Sequence, residues 1–99
     1  MEPFIKPSNR EYTIYSKSGC PNCIKVKELL KSTNIPFRVI DCDEYLIERK
    51  EEFLHFIQEL TSREWKTFPI VFTGDCLFIG GFTDTRVYLE QLLEFTDNF

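Results

Sequence analysis

The chain lacks alanine altogether and holds a single histidine and a single tryptophan among its 99 residues. The missing alanine carries no functional reading, but other absences exclude whole classes. No apolar run approaches the roughly 18 residues that a membrane helix needs, so no transmembrane span is expected. Lysine and arginine (12) do not exceed aspartate and glutamate (16), and the net charge of −4 argues against general affinity for nucleic acid. The opening residues MEPFIKPSNR have no apolar core of a secretory signal, being acidic at Glu2 and broken by Pro3 and Pro7. The expected location is therefore cytoplasmic, where cysteines stay reduced. No repeat, low-complexity tract or linker interrupts the sequence, and its length predicts one domain.

What is present is ample core material: 42% of residues are hydrophobic, with ten phenylalanines. Residues 1–10 read as a loose N-terminal arm, and 11–99 as the domain. Glu11–Ser16 alternates apolar and polar residues as a strand does. Pro21–Ser32 has helical spacing, with Cys23, Val26, Leu29 and Leu30 near one face, and Asn34 and Pro36 end it. Phe37–Ile40 is a second strand. Asp43 and Glu44 open one long helix to about Leu60, with Leu46, Phe53, Ile57 and Leu60 inward. Phe68–Phe72 is a third strand, Gly74-Asp75 a turn, and Cys76–Ile79 a fourth strand. Gly80-Gly81 breaks the chain. Thr83 or Asp84 then caps a last helix, with Tyr88, Leu89, Leu92 and Phe95 on its buried side. The order β-α-β-α-β-β-α predicts an α/β fold, a four-stranded mixed sheet with helices on both faces.

The run Tyr15-Ser16-Lys17-Ser18-Gly19-Cys20-Pro21-Asn22-Cys23 carries the chemistry. A strand leads into a Cys-x-x-Cys pair and a helix follows at once. Pro21 suits the first helical turn, where its missing N–H costs nothing. A helix N-terminus offers partial positive charge and free N–H groups, which favour an anion. A thiol there ionises more easily, and the thiolate is the reactive form. The pair reads as a redox site with Cys20 as nucleophile. Two blander readings stand beside it. A structural disulfide closing so short a loop constrains the unfolded chain little. Half of a zinc site would need a second close pair, which Cys42, Cys76 and His55 do not form, so no metal is expected. Cys42 and Cys76, at strand ends, read as small buried or half-buried hydrophobes. Trp65 reads as packing or a loop aromatic, and the acidic stretch 41–52 as a solvated helix face.

Three separated motifs occur in order: Lys17-Ser18-Gly19-Cys20-Pro21-Asn22-Cys23, Thr67-Phe68-Pro69, and Gly80-Gly81-Phe82-Thr83-Asp84. They resemble the K-x-x-C-P-Y-C, T-V-P and G-G-x-[ST]-D motifs of the glutaredoxins, small thioredoxin-fold oxidoreductases that use glutathione. The resemblance spans roughly residues 11–96. It implies that Cys20 is the nucleophile that carries glutathione and Cys23 the resolving thiol. It implies that Pro69 is a cis-proline, and that Thr67 and Phe68 offer an extended backbone edge to the cysteine of glutathione. Gly81, Thr83 and Asp84 would hold the γ-glutamyl end, and Lys17 the glycine carboxylate. These roles fit the chemistry of glutathione, which has two carboxylates and one ammonium. A peptide-like ligand can pair with an extended edge, and the residue before proline is pushed to that conformation.

The chain also departs from the pattern. Asn22 stands where tyrosine is common, and Phe68 where valine is. The segment 61–66 is about two residues longer than usual. Leu54 occupies the place of a glutamine that reaches the glycine carboxylate, which leaves Lys66, Arg63 or Gln58 to supply that contact. The implied activity is glutathione-dependent reduction of glutathione mixed disulfides and protein disulfides by a monomer. The alternatives are an iron–sulfur cluster-binding module, or a dedicated electron donor to a partner such as ribonucleotide reductase.

Overall fold

The computed structural model describes residues 4–97, with side chains described through residue 93. Strand β1 (Tyr12–Ser16) is followed by α1 (Pro21–Ser32), β2 (Phe37–Asp41), α2 (Asp43–Glu48) and α3 (Lys50–Thr61). Strands β3 (Ile70–Phe72) and β4 (Phe78–Gly80) and helix α4 (Phe82–Asp97) complete the chain. The sheet order is β2-β1-β3-β4. β1 runs parallel to β2, with Ile14 opposite Val39, and antiparallel to β3, with Ile14 opposite Val71. β3 pairs antiparallel with β4. The expected α/β class and mixed four-stranded sheet are those observed.

Successive side chains of a strand point to opposite faces, so each strand supplies two cores. Tyr15, Ile40, Ile70 and Phe72 pack with Phe53 and Ile57 of α3. Ile14 and Val71 pack with Val26 and Leu30 of α1 and Leu89 of α4. The aromatic wealth goes mainly to the first cluster, where Phe53 meets the rings of Tyr15, Tyr45, Phe56 and Phe68.

Four expectations need correction. The helix expected over 43–60 is two helices, broken at Arg49 (φ −144°, ψ 46°). The break re-phases the chain, so that Tyr45 and Leu46 of α2 and Phe53 and Ile57 of α3 all reach one cluster. Arg49 itself lies 5.1 Å from the Phe4 ring and pairs with Glu52 at 2.8 Å.

From Phe4 onward, the arm is not loose. Phe4 is buried and edge-on to Tyr45 and Phe53. The Tyr15 hydroxyl donates to the Ile5 carbonyl at 2.6 Å, and the Ser8 N–H donates to Thr13 Oγ1 at 2.8 Å. One aromatic with a deep socket is enough to dock a short segment.

The turn between β3 and β4 is longer than Gly74-Asp75, and Cys76 belongs to it rather than to a strand. Thr73 Oγ1 accepts the N–H groups of Asp75 and Leu77, and Cys76 takes φ 64°. Cys76 is consequently exposed, whereas Cys42 is buried as expected. Finally, α4 begins one residue before Thr83. Thr85 donates its N–H to the Gly81 carbonyl at 3.0 Å, which makes Gly81 the capping position. Leu89 is buried and Tyr88 half-buried, but Leu92 is 47% exposed. Phe95 lies outside the described side chains.

Candidate active site

Strand β1 ends at the carboxyl edge of the parallel pair β1-β2, the end at which open α/β sheets bind ligands. The chain then turns through Lys17, Ser18 and Gly19 into α1. Asp43, at the start of α2, fixes this turn: its carboxylate accepts the Ser18 N–H at 2.9 Å and the Ser18 hydroxyl. The Ser18 hydroxyl, then the Ser18 N–H, hold the Asp43 carboxyl below its usual range, with Lys17 helping from a distance. Gly19 takes φ 68°, a left-handed conformation that glycine adopts without steric cost.

Cys20 is the N-cap of α1 and Pro21 its first residue. The Cys23 N–H donates to Cys20 Sγ at 3.1 Å, so the sulfur occupies the place a capping oxygen would take. The two cysteines are joined by a disulfide with Cα atoms 5.3 Å apart. Cys20 is 8% exposed and Cys23 1% exposed, so an incoming thiol reaches Cys20 first.

Lys17 links this turn to the second motif. Its Nζ lies 5.7 Å from the centre of the Phe68 ring, whose other contacts include a stack on Phe53. The Phe68–Pro69 peptide bond is cis. Pro69 is buried, Phe68 half-buried and Thr67 exposed. The third motif adjoins the second. A Cβ placed on Gly81 would sit 3.7 Å from the Pro69 carbonyl oxygen and 4.0 Å from Cζ2 of Trp65. Trp65, in the lengthened loop, is edge-on to Phe78 at 5.0 Å, and its buried Nε1–H has no partner among the described residues. Asp84 Oδ2 accepts the Gly81 N–H at 3.1 Å, and the Thr85 hydroxyl donates to the Gly81 carbonyl at 2.8 Å. That leaves the N–H groups of Thr83 and Asp84 without intrahelical acceptors at an exposed helix start.

Two grooves border the site. One, about 320 Å³, opens between α1 and the end of β2, lined by Cys20, Cys23, Ile24, Lys27, Val39 and Asp41 among others. The other, about 340 Å³, is lined by Lys17, Lys50 and Lys66 over Leu46, Leu54 and Phe68. Lys66, one of the residues expected near the glycine carboxylate, lines the same groove as Lys17 and Phe68. Gln58 lines an adjoining groove that shares Leu54 and Lys66 with this one and adds His55 and Glu64, and the Arg63 guanidinium lies 5.9 Å from the Phe78 ring. Lys50 was missed. It precedes Leu54 by four residues, one turn of α3, and that spacing was the signal that would have found it.

Residues 12–78 match the family model described as Glutaredoxin. The chain belongs to the glutaredoxin family. Among curated relatives it is 32% identical over 87 residues to bovine "Glutaredoxin-2, mitochondrial", covering 87% of this chain and 52% of that protein. It is 35% identical over 68 residues to "Glutaredoxin 1" of Rickettsia felis, covering 69% of this chain and 61% of that protein. The chain therefore spans only about half to three fifths of the length of these glutaredoxins. Among solved structures it is similar to glutaredoxin 1 of Francisella tularensis complexed with cacodylate (TM-score 0.72, 27% identity, 84% of this chain and 95% of that one). The thioredoxin-like glutaredoxin fold accounts for the parallel β1-α1-β2 unit, the β3-β4 hairpin and the Cys-x-x-Cys pair at the start of α1.

Proposed function

We propose that the chain is a glutathione-dependent thiol–disulfide oxidoreductase acting through Cys20. The observation that carries this reading is the Cys20 sulfur at the α1 N-cap, accepting the Cys23 N–H and more accessible than its partner sulfur. That N–H and the helix dipole stabilise a thiolate. Membership of the glutaredoxin family supports it.

In the monothiol route, Cys20 thiolate attacks the glutathione sulfur of a mixed disulfide. The S–S bond breaks, the substrate leaves as a thiolate that takes up a proton, and glutathione stays on Cys20. A second glutathione thiolate attacks that sulfur, regenerating Cys20 and forming glutathione disulfide. In the dithiol route, Cys20 attacks a protein disulfide and Cys23 displaces the protein thiolate. The resulting Cys20–Cys23 disulfide takes two electrons from two glutathione molecules. Phe68 presents its backbone edge to the glutathione cysteine. Gly81, Thr83 and Asp84 hold the γ-glutamyl end, with the Asp84 carboxylate facing the ammonium. Lys17 and Lys66 face the glycine carboxylate.

Exposure of the Cys23→Ser variant to glutathione disulfide, followed by peptide mapping, tests the assignment. One glutathione on Cys20 is expected, and none at that position in Cys20→Ser. Failure of Cys20 to accept glutathione, with its thiol still open to a small alkylating agent, overturns the reading.

A further inference from the structure

The lysine groove holds more positive charge than glutathione uses. Glutathione brings one carboxylate to its glycine end. Lys17, Lys50 and Lys66 all line the groove, and among the described residues no carboxylate does. The nearest glutamates, Glu48, Glu51, Glu52 and Glu64, line adjoining grooves that Lys50 and Lys66 border on their other sides. The chain is acidic overall, at −4, so three cations here are not a sample of the surface. None of the three is ion-paired among the described residues. The carboxylate that senses Lys17 is Asp43, and it is held by Ser18. Leu46, Leu54 and Phe68 supply an apolar floor on which lysine methylenes can lie.

Covalent connectivity then fixes what else fits. The reading above places the γ-glutamyl end at Asp84 and the glycine end at the lysines. A polypeptide with its cysteine in the same place runs the same way. Residues before its cysteine lie toward Asp84, and residues after it lie along the lysine groove. An extended chain turns successive side chains to opposite faces, so one of the two side chains after the cysteine enters the groove and meets the lysines.

We infer that the groove makes this protein selective for polypeptide disulfides whose cysteine is followed by acidic residues, with Lys50 as a specificity-determining residue. This rests on the glutathione-type site proposed above. Lys50 stands one turn before Leu54, so it brings a full charge to the side of the groove where the family pattern has a neutral amide. Exchange is the dithiol route: Cys20 thiolate attacks the peptide disulfide, one peptide leaves as thiolate, and Cys23 displaces the peptide seated in the groove.

The test uses symmetric disulfides of two short peptides, one with cysteine followed by two glutamates and one by two glutamines. Each enzymatic kcat/KM is divided by the uncatalysed rate with glutathione, since acidic neighbours alter the thiol itself. At low ionic strength the acidic peptide is expected to be favoured about fivefold, the upper scale of one solvent-exposed ion pair. The preference should shrink at 0.5 M salt, to about a third or less in Lys50→Gln, and further in Lys50→Glu. Equal normalised rates for the two peptides overturn the proposal, as does a preference that Lys50→Glu leaves intact. Reduction of a small glutathione mixed disulfide by the wild type runs in parallel. Turnover there with no peptide preference sinks the selectivity alone, and no turnover sinks the underlying reading.

Discussion

Four cysteines in one chain behave as three kinds of thiol because of where each sits. Cys20 and Cys23 share a helix start and a disulfide. Cys42 follows β2, and burial pushes its thiol from an ordinary 9.0 up to about 12. A thiol that stays neutral is a small hydrophobe and a poor nucleophile. Cys76 is exposed in a turn, its Sγ donating to the Ser8 carbonyl at 3.2 Å. In the oxidised protein, iodoacetamide should therefore label Cys76 promptly and Cys42 only after unfolding, as read by peptide mass mapping. Labelling of Cys42 in the native protein would contradict its placement. The same shift sets a pH dependence. The folded state keeps the Cys42 proton to a higher pH than the unfolded chain does. Its contribution to stability is thus fully present below pH 9 and is lost as pH rises from 9 toward 12. Denaturant midpoints measured across that range should fall less steeply in Cys42→Ala than in the wild type.

At the scale of the element, the start of α4 depends on two glycines and one acid. Gly80 has φ 135°, and a Cβ there would run into the Asp84 carboxylate that caps Gly81. Gly80→Ala should cost about 1–3 kcal/mol of stability, a strained backbone that only glycine tolerates, and should weaken glutathione binding by displacing Asp84. Unchanged denaturation and unchanged KM would contradict this. The three motifs were legible because each is local: a thiol before a helix, a proline before a strand, a glycine pair before a cap. The break at Arg49 was not legible, because 43–60 carries a continuous helical pattern and only the shared aromatic cluster requires two directions. Cys76 was misplaced for a similar reason. Thr73 Oγ1 gathers two N–H groups and lengthens the turn, a role that a lone threonine does not announce. Gln58 and Arg63 were suggested by their place near Leu54 and in the longer loop. Gln58 of α3 instead lines the adjoining groove with His55 and Glu64, and Arg63, past the left-handed Ser62 (φ 60°), lies by the Phe78 ring.

At the scale of the molecule, the sheet divides two cores, and the active-site turn rests on the seam between them. Tyr15 faces one cluster and Ile14 the other, one strand before the cysteines. Phe4 closes the aromatic cluster from outside the sheet, and nothing in a phenylalanine between prolines foretold its socket. Phe4→Ala should cost about 3–5 kcal/mol in chemical denaturation, as for a buried aromatic removed from a core. A loss under 1 kcal/mol would show that the segment does not dock. The central claim is that Cys20 alone performs exchange with glutathione and that Cys23 is needed only to resolve protein disulfides. The measurement that tests it most directly is glutathione-dependent reduction of a small mixed disulfide, coupled to glutathione reductase, on wild type and Cys23→Ser side by side. Turnover by both is the predicted result. Turnover by the wild type that is lost in Cys23→Ser, or absence of turnover in both with Cys20 still reactive toward a thiol probe, would contradict the account.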